Sequence, residues 1–171
     1  MILAIDPGSK PGYAVLDTTR MIQRGQLTSG REAPRLVLSS STYPGGSYSA
    51  VVVEGQWIHG RGGAAPKKIL TLANTAGMQF ARAAVGAWKI YRIPADGQNS
   101  WFAAFYRSAG VPQDILCNRI YKELDHAEQV LIDRAAGRSK SRKKDLLAAV
   151  GIGWALALCS DPEKYAIEWP P

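Results

Sequence analysis

The stretch Ile2-Leu-Ala-Ile-Asp-Pro-Gly-Ser-Lys-Pro-Gly-Tyr-Ala-Val-Leu-Asp17 constrains the fold most. Four apolar residues run straight into Asp6, a turn punctuated by Pro and Gly follows, and a second apolar run extends from Tyr13 to Leu16. This pattern reads as a strand hairpin with a carboxylate at the end of its first strand. An unbroken apolar run without alternation suits a central strand covered on both faces. An acid where such a strand emerges is costly unless something positive meets it, and a cation is the simplest partner. Gly8 and Gly12 leave room for a phosphate to approach the backbone. A turn-capping aspartate before Pro-Gly explains the same residues without any ligand.

A chain of 171 residues with 46% apolar content fits one globular domain, expected to span 1–171. Twenty-one Lys and Arg against 14 Asp and Glu give a formal charge of +7, which favours a polyanionic partner, nucleic acid before membrane. Cys117 and Cys159 lie far apart with no metal-ligand spacing, as expected of reduced thiols in a bacterial or phage-infected host cytoplasm. No targeting segment is read before the first strand. The apolar run Leu146 to Cys159 is too short and too rich in Gly and Ala to span a bilayer, so a buried helix is expected there.

Along the chain, Thr18-Thr-Arg20 reads as a turn and Met21 to Leu27 as a third antiparallel strand. Glu32 to Ser41 reads as a short helix, followed by a Ser/Thr/Pro/Gly-rich loop to Ser49. Ala50-Val-Val-Val-Glu54 is a second apolar strand ending in an acid. Parallel neighbours in an α/β sheet end on one edge, so Glu54 can meet Asp6 there. Ile69, Ala73, Ala76, Phe80 and Ala84 keep helical spacing behind Pro66, and Trp88 to Ile93 forms a fifth strand. Helices are predicted at Ser100 to Ser108, at Pro112 to Arg134 with a break, and at Lys144 to Leu158. The order β-β-β-α-β-α-β-α-α-α is that of an α/β domain with a five-stranded mixed sheet whose first three strands are antiparallel, flanked by helices. A third acid, Asp145, stands where the last of these helices begins. There it could face Asp6 and Glu54 or serve as a helix cap.

Ile5-Asp6-Pro7-Gly8-Ser9 with Gly12-Tyr-Ala-Val-Leu-Asp17, then Val51-Val-Val-Glu54, then Asp145-Leu-Leu-Ala-Ala-Val-Gly-Ile-Gly153, resemble the RuvC-type Holliday-junction resolvases of the ribonuclease H-like superfamily. The resemblance spans nearly the whole chain, and in size and in its loose last motif the chain is similar to phage-encoded or divergent members. It implies a homodimer that recognises four-way DNA junctions and nicks two strands symmetrically, with magnesium, or manganese in its place, held as two ions per site by Asp6, Glu54 and Asp145. The match is incomplete in one place. The last helix of the family carries two acids three residues apart. Aligning Asp145 with the first puts Ala148 at the second, and aligning it with the second puts Arg142 at the first.

In a two-ion site Asp6 would bridge, with Glu54 and Asp145 each flanking one ion, while an activated water attacks the phosphodiester. His59 and His126 are candidates for proton handling or are simply solvated. Trp57, three residues after Glu54, stands where the family places an aromatic that stacks at the junction. With Arg61, Lys67 and Lys68 it would contact unpaired bases and phosphates, or else it caps the core. Arg134, Arg138, Lys140, Arg142, Lys143 and Lys144 form the densest basic run and lead into Asp145, which favours contact with branched DNA over a merely solvated face. Two other classes compete: a ribonuclease H-like nucleic-acid-binding module without nuclease activity, and a fragment of an actin-like ATPase, whose first phosphate loop the Asp-Pro-Gly-Ser hairpin also resembles.

Overall fold

The computed structural model describes residues 1–7, 10–25, 27–55, 77–79, 81–95, 97–105 and 111–167. Five strands, β1 (Ile2–Asp6), β2 (Gly12–Gln23), β3 (Glu32–Ser40), β4 (Tyr48–Gly55) and β5 (Ala87–Pro94), form one sheet in the order β3-β2-β1-β4-β5. β2 runs antiparallel to its neighbours β1 and β3, while β4 runs parallel to β1 and β5 parallel to β4. Three helices follow: α1 (Gln113–Glu123), α2 (His126–Ala136) and α3 (Lys140–Ala157).

The central strand is covered on both faces, as its unbroken apolar run requires. Ile2 and Ala4 join Ala14, Leu16, Val52 and Ile93 in the core that α1, α2 and α3 cover. Leu3 and Ile5 point the other way, with Tyr13, Val15, Val51 and Val53, and pack on Ala83. Residues 77–79 and 81–84 are helical, in keeping with the helix predicted to end there. The remainder of that helix lies outside the described residues.

Two predicted elements differ. The third strand is Glu32–Ser40, where a short helix was predicted, and Met21–Gln23 is the end of β2 rather than a strand of its own. Thr18-Thr-Arg20 looks like a turn because it is a bulge: the register slips between Asp17 and Met21, and the Asp17 carboxylate accepts hydrogen bonds from both the backbone N–H and the hydroxyl of Thr19. In β3 the buried residues Ala33 and Leu36 flank Pro34, which a helix interior would reject and an edge strand accepts. Of the helix predicted at Ser100 to Ser108, residues 101–105 form turns and 106–108 lie outside the described residues.

The break between α1 and α2 falls at Leu124-Asp125, inside the predicted Pro112 to Arg134 segment. Asp125 caps α2 in a capping box: its carboxylate accepts from the Glu128 N–H while the Glu128 carboxylate accepts from the Asp125 N–H. The last helix begins four residues before the prediction. Ser139 is its N-cap, the hydroxyl accepting from the Arg142 N–H at 3.3 Å, so Asp145 stands in the second turn and is not a cap. From Leu146 to Leu156 every residue of α3 is buried. Gly153 lets the helix lie on the sheet, since a Cβ there would come within 2.3 Å of the Leu16 side chain and 3.0 Å of Ala4. No helix among the described residues is long and apolar enough to cross a membrane.

Candidate active site

Asp6 follows four buried residues of β1 and is itself only partly buried. Parallel pairing of β1 with β4 ends at Ile5 opposite Val53, so Asp6 and Glu54, one residue further on, emerge together at the same sheet edge. On its other side Asp6 pairs with Gly12 of β2. Gly12 is where α3 touches down: a Cβ built there would lie 2.2 Å from the backbone carbonyl oxygen of Asp145. Only glycine permits that approach, and the approach brings the second turn of α3, with Asp145, to the end of β1.

The electrostatics follow from this crowding. Burial, and after it the negative charges of Glu54 and Asp145, push the Asp6 carboxyl well above the usual aspartate range, and the Lys144 ammonium offsets part of the effect. Burial also raises Asp145, against the pull of Lys144 and Lys10. Glu54 is held by a group the sequence did not reveal. The indole N–H of Trp101 donates to Glu54 Oε1 at 2.7 Å, and the Trp101 ring is fully buried. Phe102 stacks on that ring at 4.2 Å and Gly151 faces it, with room for no side chain. Beneath the site the Cys117 thiol is pushed up to about 12, chiefly by burial and then by Asp6, so it stays protonated.

Three carboxylates, two of which raise the proton affinity of the third, Asp6, supply only oxygen donors and suit a hard divalent cation. Among the described residues no group of three acids, histidines or cysteines is already arranged as metal ligands.

Compared with solved structures, the chain matches "Thermus thermophilus RuvC structure" with 17% identity and a TM-score of 0.52, over 96% of this chain and 97% of that one. It matches "T. thermophilus RuvC in complex with Holliday junction substrate" with 15% identity and a TM-score of 0.55, over 97% and 98%. The fold is ribonuclease H-like. No family model matches the chain, and no curated protein matches it.

Within this ribonuclease H-like frame the basic run divides. Arg134, Arg138 and Lys140 are exposed around the α2–α3 junction. Lys143 turns away from the acids: its ammonium contacts Asp133 Oδ1 at 2.6 Å and lies 3.6 Å from the centre of the Tyr121 ring. Lys144 turns toward them and pairs with Asp114 Oδ1 at 2.9 Å. Arg142 is partly buried, with its Nε unpartnered. His126 is exposed. Trp57, His59, Arg61, Lys67 and Lys68 lie outside the described residues. Asp125 and Glu128, the other acids near in sequence, serve the α2 cap and a buried ion pair with Arg24.

Trp101 could have been suspected only as a core aromatic in Asn99-Ser-Trp-Phe102; nothing in the spacing ties it to Glu54. Trp101→Phe keeps most of the ring but removes the donor. Because a residue that orients a metal-binding side chain typically matters ~10–100-fold, the affinity of Trp101→Phe for a divalent cation should fall by that factor while circular dichroism shows an unchanged fold.

Proposed function

We propose that the chain is a magnesium-dependent endodeoxyribonuclease that acts on branched DNA, the four-way junction above all, by nicking it symmetrically as a homodimer. The observation that carries this reading is Asp6, placed between Glu54 and Asp145 at one sheet edge and raised well above the ordinary aspartate range by burial and their charges. The likeness of backbone to a RuvC bound to a Holliday junction adds support for the substrate.

Asp6, Glu54 and Asp145 would hold the ion. When bound, such an ion supplies Lewis-acid activation of water and neutralises charge on the phosphodiester. The protein's own part is positional. Asp6, at the centre of the three acids, fixes where positive charge collects. Trp101 holds the Glu54 carboxylate in place through its indole N–H. Lys144, next to Asp145 in the chain, adds a cation beside the phosphate. No side-chain nucleophile is needed, and Cys117, protonated and buried, is not one.

Labelled four-way junction, duplex and single strand, each incubated with and without magnesium, test the proposal. Paired nicks in the junction, dependent on magnesium, are expected; an uncut junction in magnesium and manganese refutes the nuclease. A second reading, junction binding without cutting, is favoured by the acid absent from the last helix, where Ala148 or Arg142 stands in its place. It requires tight junction binding with no nicks in the same assay. An ATP-binding assay separates the remaining alternative, a fragment of an actin-like ATPase, from the nuclease.

Burial separates the two alignments of the last motif. Ala148 is fully buried in the core, whereas Arg142 is partly exposed in the first turn of α3. Ala148→Asp should therefore destabilise the fold by about 1–3 kcal/mol even after taking up a proton. Arg142→Asp should fold normally and, if it restores the absent acid, lower the magnesium needed for half-maximal cleavage. Urea unfolding of both variants with a magnesium titration of each measures this.

A further inference from the structure

Between α1 and α3 runs a groove of about 630 Å³. Asp114 and Asn118 line it from α1, and Lys140, Ser141, Lys143 and Lys144 from α3. Its cations, hydroxyl and amide are the groups that contact phosphate and sugar without reading sequence. Its inner end adjoins the acids, because Lys144 precedes Asp145 and its ammonium is among the charges acting on Asp6. The Cys117 thiol donates to the Lys144 carbonyl oxygen at 3.6 Å, which ties the groove's floor to that residue's backbone.

The lysines are not equivalent. Lys143 is held by both Asp133 and Tyr121 and braces the three helices. Lys140 is exposed, as is Ser141. Among the described residues the ion-pair partner of Lys144 is Asp114, and the two side chains retain 37% and 73% of their exposure. A pair that open to water is weak and exchanges readily for another anion. Asp114 is thus a carboxylate resting on a lysine whose charge reaches Asp6 and Asp145, in a groove whose other polar partners suit phosphate.

Resting on the nuclease reading above, we propose that this groove carries the DNA backbone that flanks the scissile phosphate, with Lys144 as the phosphate contact nearest Asp6 and Asp114 as the carboxylate that the phosphate displaces. Asp114 then sets affinity by competing with the substrate for Lys144.

Binding of a fluorescein-labelled four-way junction and of a labelled duplex, read by anisotropy in EDTA across a salt series, tests this apart from catalysis. Lys144→Gln removes one phosphate contact, so the slope of log affinity against log salt should fall by ~1 and affinity by roughly three- to tenfold. Asp114→Asn should change affinity the other way, by about threefold or more. A misfolded variant does not bind more tightly, so that gain cannot arise from damage to the fold. Lys89→Gln, at an exposed lysine paired with Glu163 in another cavity, should leave both quantities unchanged. If Asp114→Asn binds no better, or Lys144→Gln keeps the wild-type slope, the groove is not the track. Should wild type fail to nick in magnesium while both shifts appear, the nuclease reading falls and the groove stands; nicking without the shifts gives the reverse.

Discussion

Asp6→Asn should be more stable than wild type in the absence of metal at neutral pH, and should cut DNA less than ~1% as fast, since even residues that only support metal ligands matter about 10–100-fold. Both effects have one cause. Burial and the charges of Glu54 and Asp145 raise the Asp6 carboxyl well above the aspartate range, so the folded protein binds this proton more tightly than the unfolded chain does. A carboxylate raised on folding weakens stability as pH climbs from its unfolded pKa to its folded one, and the full penalty persists above that. Asparagine has no such proton to lose. The advantage of Asp6→Asn should therefore be absent below the ordinary aspartate pKa, grow as pH rises, and then level off. Each ~1 kcal/mol of relieved penalty shifts Tm by about 2–4 °C in a chain of this size. Melting curves of the two proteins in EDTA from acid to neutral pH follow the effect; a variant that loses stability at neutral pH would show that Asp6 has a structural partner.

Arg24→Met should lower stability by about 3–5 kcal/mol, the effect of stranding one charge of a buried pair. Arg24 and Glu128 are both fully buried and meet through two hydrogen bonds of 2.7 Å. Glu128 also accepts the N–H of Leu36 on β3 at 2.7 Å and of Asp125 at 2.9 Å. Arg24 donates to the Glu123 carbonyl oxygen and lies over Trp154 of α3 at 4.7 Å. One ion pair thus fastens the edge of the sheet, the α1–α2 turn and α3, the helix that carries Asp145. The double variant Arg24→Met/Glu128→Met should recover only part of the loss, because it removes the stranded charge but leaves the Leu36 and Asp125 N–H groups without their acceptor. Urea midpoints measure this, and a single-variant loss below ~1 kcal/mol would mean that water reaches the site.

Asp6 and Glu54 were legible because each closes a short apolar run, and two such runs in a parallel pair must end on one edge. Asp145 was legible as a partner, but its place in the helix was not. The first turn of α3 is Lys140-Ser-Arg-Lys143, which has no apolar periodicity, and its start is marked only by the Ser139 cap. The hairpin of β2 and β3 was obscured by the bulge at Thr18–Arg20, whose local hydrogen bonds look like those of a turn. The period-two spacing of Leu36 and Leu38 was the signal for β3, and Pro34 agreed with it. Trp101 and Glu54 meet across 47 residues, and Arg24 and Glu128 across 104. Separations of that size leave no trace in local spacing, although Asp125-x-x-Glu128 announces its capping box.

The central claim, that Asp6, Glu54 and Asp145 form one site for a divalent cation, is tested most directly by thermal melting of wild type, Asp6→Asn and Glu54→Gln across a magnesium titration with manganese in parallel. A ligand that binds only the folded state adds about 2.7 kcal/mol at a hundred times its Kd. The wild-type Tm should climb with metal until that order of gain is reached, while both variants stay flat. A wild-type Tm that metal leaves unmoved, or an equal rise in Asp6→Asn, would contradict the account.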